Sequence, residues 1–181
     1  DKNFVMNWIG AYDRWATDSE WRSVHFPEES VPNASTYFDT SSMEFTATED
    51  FQRVTLDCKF QLKNNDSLTG RYVKTRLLRT DADGTETVHN FTETYLPSLL
   101  NTQSSTKTIS FDMTGQNELI MNTGDKLQVQ FKGDTHQTDI RQVKDSDSKY
   151  KAHKNYLNFL SVGSTGVDTQ TLLDNARGKI K

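Results

Sequence analysis

The residues that could do chemistry are few and far apart. Four histidines, His25, His89, His136 and His153, show no His-x-x-x-His spacing, and the one cysteine, Cys58, has no Cys-x-x-Cys partner. No transition-metal site is expected. A Gly-x-Ser-x-Gly elbow is absent, and the 25 acidic residues are expected to solvate the surface rather than converge as a hydrolytic pair, so the chain is read as no enzyme. Asp81, Asp83 and Glu86 surround Gly84 with a superficial likeness to a calcium loop, but without EF-hand spacing; a hairpin turn is the expectation. Asn33, Asn65 and Asn90 each begin an Asn-x-Ser/Thr sequon. The amino end lacks the basic-then-apolar order of a signal peptide, so these are expected to stay unused. No cofactor is implied.

Cys58 lies inside an alternating apolar run, which suits a small buried hydrophobe. With a single cysteine no intramolecular disulfide can close, which suggests folding in a reducing cytoplasm or stability gained through assembly. At 181 residues the chain suits one domain. Its hydrophobic content is 33% with 10% aromatic residues, and its mean hydropathy is -0.77, a mix that fits a thin β-sandwich with much exposed surface. Net charge is -4 and no basic block appears, so nucleic acid is not expected as a partner. No apolar run approaches the roughly 20 residues of a span, so membrane insertion is not expected.

The elements that must position these residues are mostly strands. Residues 1 to 30 stand apart as an aromatic segment holding all three tryptophans. Phe4, Trp8, Ala11, Tyr12 and Trp15 fall at helical spacing and predict a short amphipathic helix within residues 1 to 22, although Gly10 costs it about 1 kcal/mol. Pro27 to Asn33 is a loop. Alternation then predicts strands through Met43, Phe45 and Ala47, and through Val54, Leu56, Cys58, Phe60 and Leu62, with a turn at Asn64-Asn65-Asp66. Val73, Thr75 and Leu77 lead to the Asp83-Gly84 hairpin, and the return strand carries His89, Phe91, Glu93 and Tyr95 on one predicted face. Ile109, Phe111 and Met113 mark another strand.

Glu118 to Phe131 is the centre of the pattern: a polar turn at Gly124-Asp125 hands over to Leu127, Val129 and Phe131. Gly124 supplies a positive φ there, and Asp125 is expected to bond its own backbone just beyond. Gly133 to Tyr150 reads as a charged loop with a brief edge strand around Ile140 and Val143. Lys154 to Val162 is apolar on both alternating sets, as in a strand covered on two faces. Residues 164 to 181 form a polar tail after the sandwich of residues 31 to 163.

Three features in order carry a family resemblance. Tyr37-Phe38-Asp39, Phe45-Thr46-Ala47 and Glu49-Asp50-Phe51 precede the long strand; Met121 to Leu127 holds the Gly-Asp corner; Tyr156-Leu157-Asn158-Phe159-Leu160 closes the pattern. Together they resemble the trimeric jelly roll of complement globular heads, tumour-necrosis-factor-like cytokines and phage fibre knobs. Two positions differ: no Gly follows the acidic turn near Phe51, and Asn158 stands where the final strand carries Gly.

The resemblance implies an all-β, antiparallel jelly-roll sandwich forming a homotrimer, with Lys154 to Val162 near the three-fold axis and Tyr156, Leu160 and Val162 at the interface. The alternative cover for that strand is the amino-terminal tryptophan helix folded back within one subunit. A structural virion protein is the functional expectation: a phage fibre, spike or decoration knob, assembled in the host cytoplasm, that binds a capsid or tail protein or a host surface glycan. A carbohydrate-binding or adhesin module is the alternative.

Overall fold

The computed structural model describes residues 2–7, 14–16, 20–29, 37–134, 139–143 and 156–163, and the regular structure there is almost wholly strand. In chain order these are β1 (Lys2–Asn7), β2 (Arg14–Ala16), β3 (Arg22–Ser23), β4 (Glu28–Glu29), β5 (Phe38–Asp39), β6 (Glu44–Thr46) and β7 (Phe51–Asn64). They continue as β8 (Arg71–Thr80), β9 (Glu86–Leu96), β10 (Thr106–Met113), β11 (Leu119–Met121), β12 (Lys126–Gly133), β13 (Ile140–Val143) and β14 (Tyr156–Gly163).

The longest alternating run makes the longest strand, and the first sheet is organised on it. Residues 56 to 59 of β7 pair with β10 and also with β14, so those two strands must lie on opposite edges. Beyond β10 the same edge continues as β11, and beyond β14 the other continues as β13. Both neighbours of β7 are therefore interrupted strands. Further out come β1 and β4 beside β14, and β2 beside β13. The second sheet runs β5-β6-β12-β8-β9, with β3 on β12. All described pairings are antiparallel, which gives the expected two-layer sandwich.

Period-two alternation decides the core. Val54, Leu56, Cys58, Phe60 and Leu62 of β7 are all buried, and Leu127, Val129 and Phe131 of β12 face them from the other layer, with Val73, Thr75 and Leu77 of β8. Phe60 packs edge-on against Phe111 and Phe26. Two buried amides are answered by backbone groups. Asn64 donates its amide to the carbonyls of Thr69 and Leu96. Gln142 accepts the His25 N–H and donates to the His25 carbonyl, standing in for a missing strand partner.

Several expectations are corrected. The described parts of the predicted amino-terminal helix are strands, because Lys2 to Asn7 pair in unbroken register with Ser161 to Tyr156 and complete an edge of β14 that a helix would leave open. Trp8, Ala11 and Tyr12 lie outside the described residues. The segment at Ile140 lies between β2 and β7 rather than at an edge, and its buried pair is Ile140 and Gln142, not Ile140 and Val143. The predicted strand through Met43 is a hairpin of β5 and β6, with Met43 itself at φ 57°. On β9 the one-face alternation fails at a bulge, where Asn90 sits at φ 53°. His89 therefore stands opposite buried Leu77, while Phe91, Glu93 and Tyr95 face outward. The tail at 164 to 181 lies outside the described residues.

Candidate binding surface

Among the described residues, the groups singled out for their chemistry are placed apart, and the acidic ones are engaged in turns and strand contacts. Asp81 pairs with Arg79 at 2.8 Å, and Asp83 accepts the Thr85 N–H across the Gly84 turn, where Gly84 has φ 92°. These contacts are those of a hairpin. Glu86 lies on β9 beyond it, and the described residues hold no group of three or more His, Cys, Asp or Glu side chains arranged for a metal. His25 and His89 are on different strands or segments; burial, and then nearby Arg79, lower the His89 imidazole from 6.5. His136 and His153 lie outside the described residues, as does Asn33. Cys58 is buried, and desolvation pushes its thiol far up.

The Gly124-Asp125 corner is built differently from its expectation. Gly124 has φ 91°, but the Asp125 carboxylate reaches back to the Asn122 N–H at 2.8 Å and across to the Ala82 N–H at 2.9 Å and Arg79 at 3.1 Å. It locks the β8–β9 hairpin onto the start of β12. Asp50 adds a second tie by accepting the Thr123 N–H, a bond that lowers its carboxyl.

Strand β14, expected at an assembly interface, occupies the centre of the first sheet between β7 and β1. Leu157 is buried in the core, so positions 156, 158, 160 and 162 form the outward register set. Asn158 in that set donates its amide to Asp57 at 3.0 Å, filling the place where the resembling family has Gly with a cross-strand polar pair. The side chains of Tyr156, Leu160 and Val162 lie outside the described residues.

The outer face of the second sheet carries a cluster that the sequence reading did not single out. Registered pairs share a face, so Tyr72 and Tyr95, Lys74 and Glu93, and Leu78 and Val88 stand side by side. The two tyrosine rings approach to 5.1 Å, and Phe91, Tyr72 and Tyr95 are 55%, 48% and 44% exposed. Trp21, just before β3, reaches across the sheet: its ring meets Phe91 edge-on at 6.3 Å, the Arg76 guanidinium lies 4.0 Å from its centre, and the Lys132 ammonium 5.8 Å. Gln130 accepts from Arg76 Nε at 2.7 Å. Desolvation lowers the Arg76 pKa from its ordinary value. The signal was present in the alternation, since Tyr72, Lys74 and Arg76 are the set opposite to buried Val73, Thr75 and Leu77. What was missing was the tertiary placement of Trp21.

No family model and no curated protein sequence matches the chain. Solved structures do. The globular domain of zebrafish complement 1qA aligns with a TM-score of 0.53 at 13% identity, covering 88% of this chain and 96% of that one. Eiger TNF from S. frugiperda aligns at 0.57 with 8% identity over 89% and 92%, and murine APRIL at 0.54 with 11% identity over 89% and 100%. At these identities the likeness establishes the jelly-roll fold, which the sequence motifs anticipated.

Proposed function

We propose that the chain is a non-enzymatic head that works as a homotrimer, serving as a structural knob of a virion fibre, spike or decoration protein that docks on a host or capsid surface. The observation that carries the trimer is the placement of β14. It is the central strand of its sheet, its core-side position Leu157 is already buried, and its outward positions are filled in sequence by Tyr156, Leu160 and Val162. Three copies closing on those positions would cover them under cyclic symmetry and leave no open surface for further growth. The aromatic face of the second sheet would then point away from the axis. The virion reading is supported by a fold held together without disulfides around one buried cysteine, as suits assembly in a host cytoplasm.

Light scattering on the purified domain tests the assembly. A mass about three times 20.7 kDa, lost when Tyr156 and Leu160 are both changed to Glu, is the expected result. A stable mass near 20.7 kDa at micromolar concentration overturns it. An antibody against the domain that decorates purified particles tests the virion assignment, and labelling confined to host cells overturns that. The carbohydrate-binding or adhesin reading is favoured by one observation, the exposed rings of Phe91, Tyr72 and Tyr95 on a single sheet face.

A further inference from the structure

We propose that the outer face of the second sheet binds an oligosaccharide capped by an acidic sugar ring. The acidic ring sits at Arg76 and Lys132 beside Trp21 and Phe91, and neutral rings run along the strands toward Tyr72 and Tyr95. The inference rests on reading the chain as a binding head and names what that head holds.

Shape comes first. Tyr72 and Arg76 are four residues apart on β8, which at about 3.3 Å per residue separates the two aromatic groups by about 13 Å along one flat face. A short oligosaccharide spans that length. The apolar C–H face of a sugar ring packs on an aromatic ring, whose face carries the negative part of its quadrupole, while the hydroxyls need polar partners at the margin. Here Phe91, Tyr72 and Tyr95 supply exposed rings, and Lys74 and Glu93, paired in register between the two ends of the face, supply polar groups beside them.

Charge fixes the ligand's polarity. The chain as a whole carries -4, yet Arg76 and Lys132 both lie against Trp21, and neither forms an ion pair among the described residues. Gln130 holds Arg76 through Nε, leaving the guanidinium's terminal nitrogens the geometry to grip a carboxylate. At the tyrosine end the Asp134 carboxylate accepts the Tyr72 N–H at 2.7 Å, which disfavours a second acidic ring there. Glu93, opposite Lys74, breaks any continuous row of cations that could track phosphates. A peptide strand would need the free ladder of β9, and the bulge at Asn90 interrupts it.

Calorimetric titration of the full chain, with its mass measured on the same sample, tests this with sialyllactose, neutral lactose and an acidic peptide. Sialyllactose is expected to bind, with lactose at least about tenfold weaker. Arg76→Gln should remove that difference while keeping the weak lactose binding. Phe91→Ala and Tyr72→Ala should each weaken sialyllactose by about tenfold, with only a small fall in melting temperature, since both rings are about half exposed. No binding of sialyllactose at millimolar concentration overturns the proposal, as does binding of the peptide alone or binding unchanged in Arg76→Gln and Phe91→Ala. A trimer that binds no acidic sugar removes the site and leaves the head; a monomer that binds it removes the assembly and leaves the site.

Discussion

Single residues hold the loops to the sandwich, and two of them make sharp predictions. Asp125 is 3% exposed and accepts from the backbone of Asn122 and Ala82 and from Arg79. Asp125→Ala would leave those donors without an acceptor in a dry corner, and we expect a loss of about 3 kcal/mol in urea denaturation. A loss under about 1 kcal/mol would show that water replaces the carboxylate. Asp66 answers to pH instead. The N–H groups of Thr69 and Leu68, and then Arg71, hold its carboxyl at about 2 against an ordinary 3.8. A carboxyl depressed on folding adds stability above its unfolded value, and that stability disappears as pH falls through the folded one. Thermal melts should therefore drop between pH about 4 and about 2, and less steeply for Asp66→Asn. Equal slopes for the two proteins would remove Asp66 from the acid transition.

At the scale of elements, alternation was an accurate guide wherever one face was dry. The run from Val54 to Leu62 and the run from Leu127 to Phe131 are buried as read. Phe131 is fully buried, so Phe131→Ala should cost about 3 to 5 kcal/mol, and a cost below about 1 kcal/mol would contradict its place between the sheets. Legibility failed where pairing partners are remote. Phe4, Trp8 and Trp15 show helical spacing, but β1 is specified by the open edge of β14, about 150 residues later, which no local window contains. Likewise Asn90 gives no local sign of a bulge, and yet it turns Phe91 outward beside Trp21. The aromatic face of the second sheet was thus half legible: alternation set Tyr72, Lys74 and Arg76 on one side of β8, but nothing local brought Trp21 and Phe91 to them. Asn90→Gly should keep or slightly raise stability, because φ near 53° suits glycine, whereas Asn90→Val should lower it by about 1 to 2 kcal/mol.

For the whole molecule, the two faces are assigned different work in these proposals: assembly to the sheet containing β14, contact to the sheet containing β9. If folding and association are coupled through β14, the melting temperature must rise with protein concentration, because dilution favours the separated chains. A series of calorimetric scans across a hundredfold concentration range would show this. A melting temperature independent of concentration, in a sample whose mass is that of one chain, would mean that the subunit stands alone.

Cys58 gives this architecture a timescale. It lies in mid-strand between Phe111 on one edge and Leu157 on the other, buried, with its thiol pushed far from ionising. A thiol reagent needs an exposed thiolate, so it can reach this sulfur only after the core around Cys58 has opened. Once reagent is raised until labelling outpaces reclosing and its rate no longer depends on reagent, that rate counts openings of the sandwich and reads persistence as a lifetime. The 181-residue sequence carries this one cysteine and no other to confuse the count.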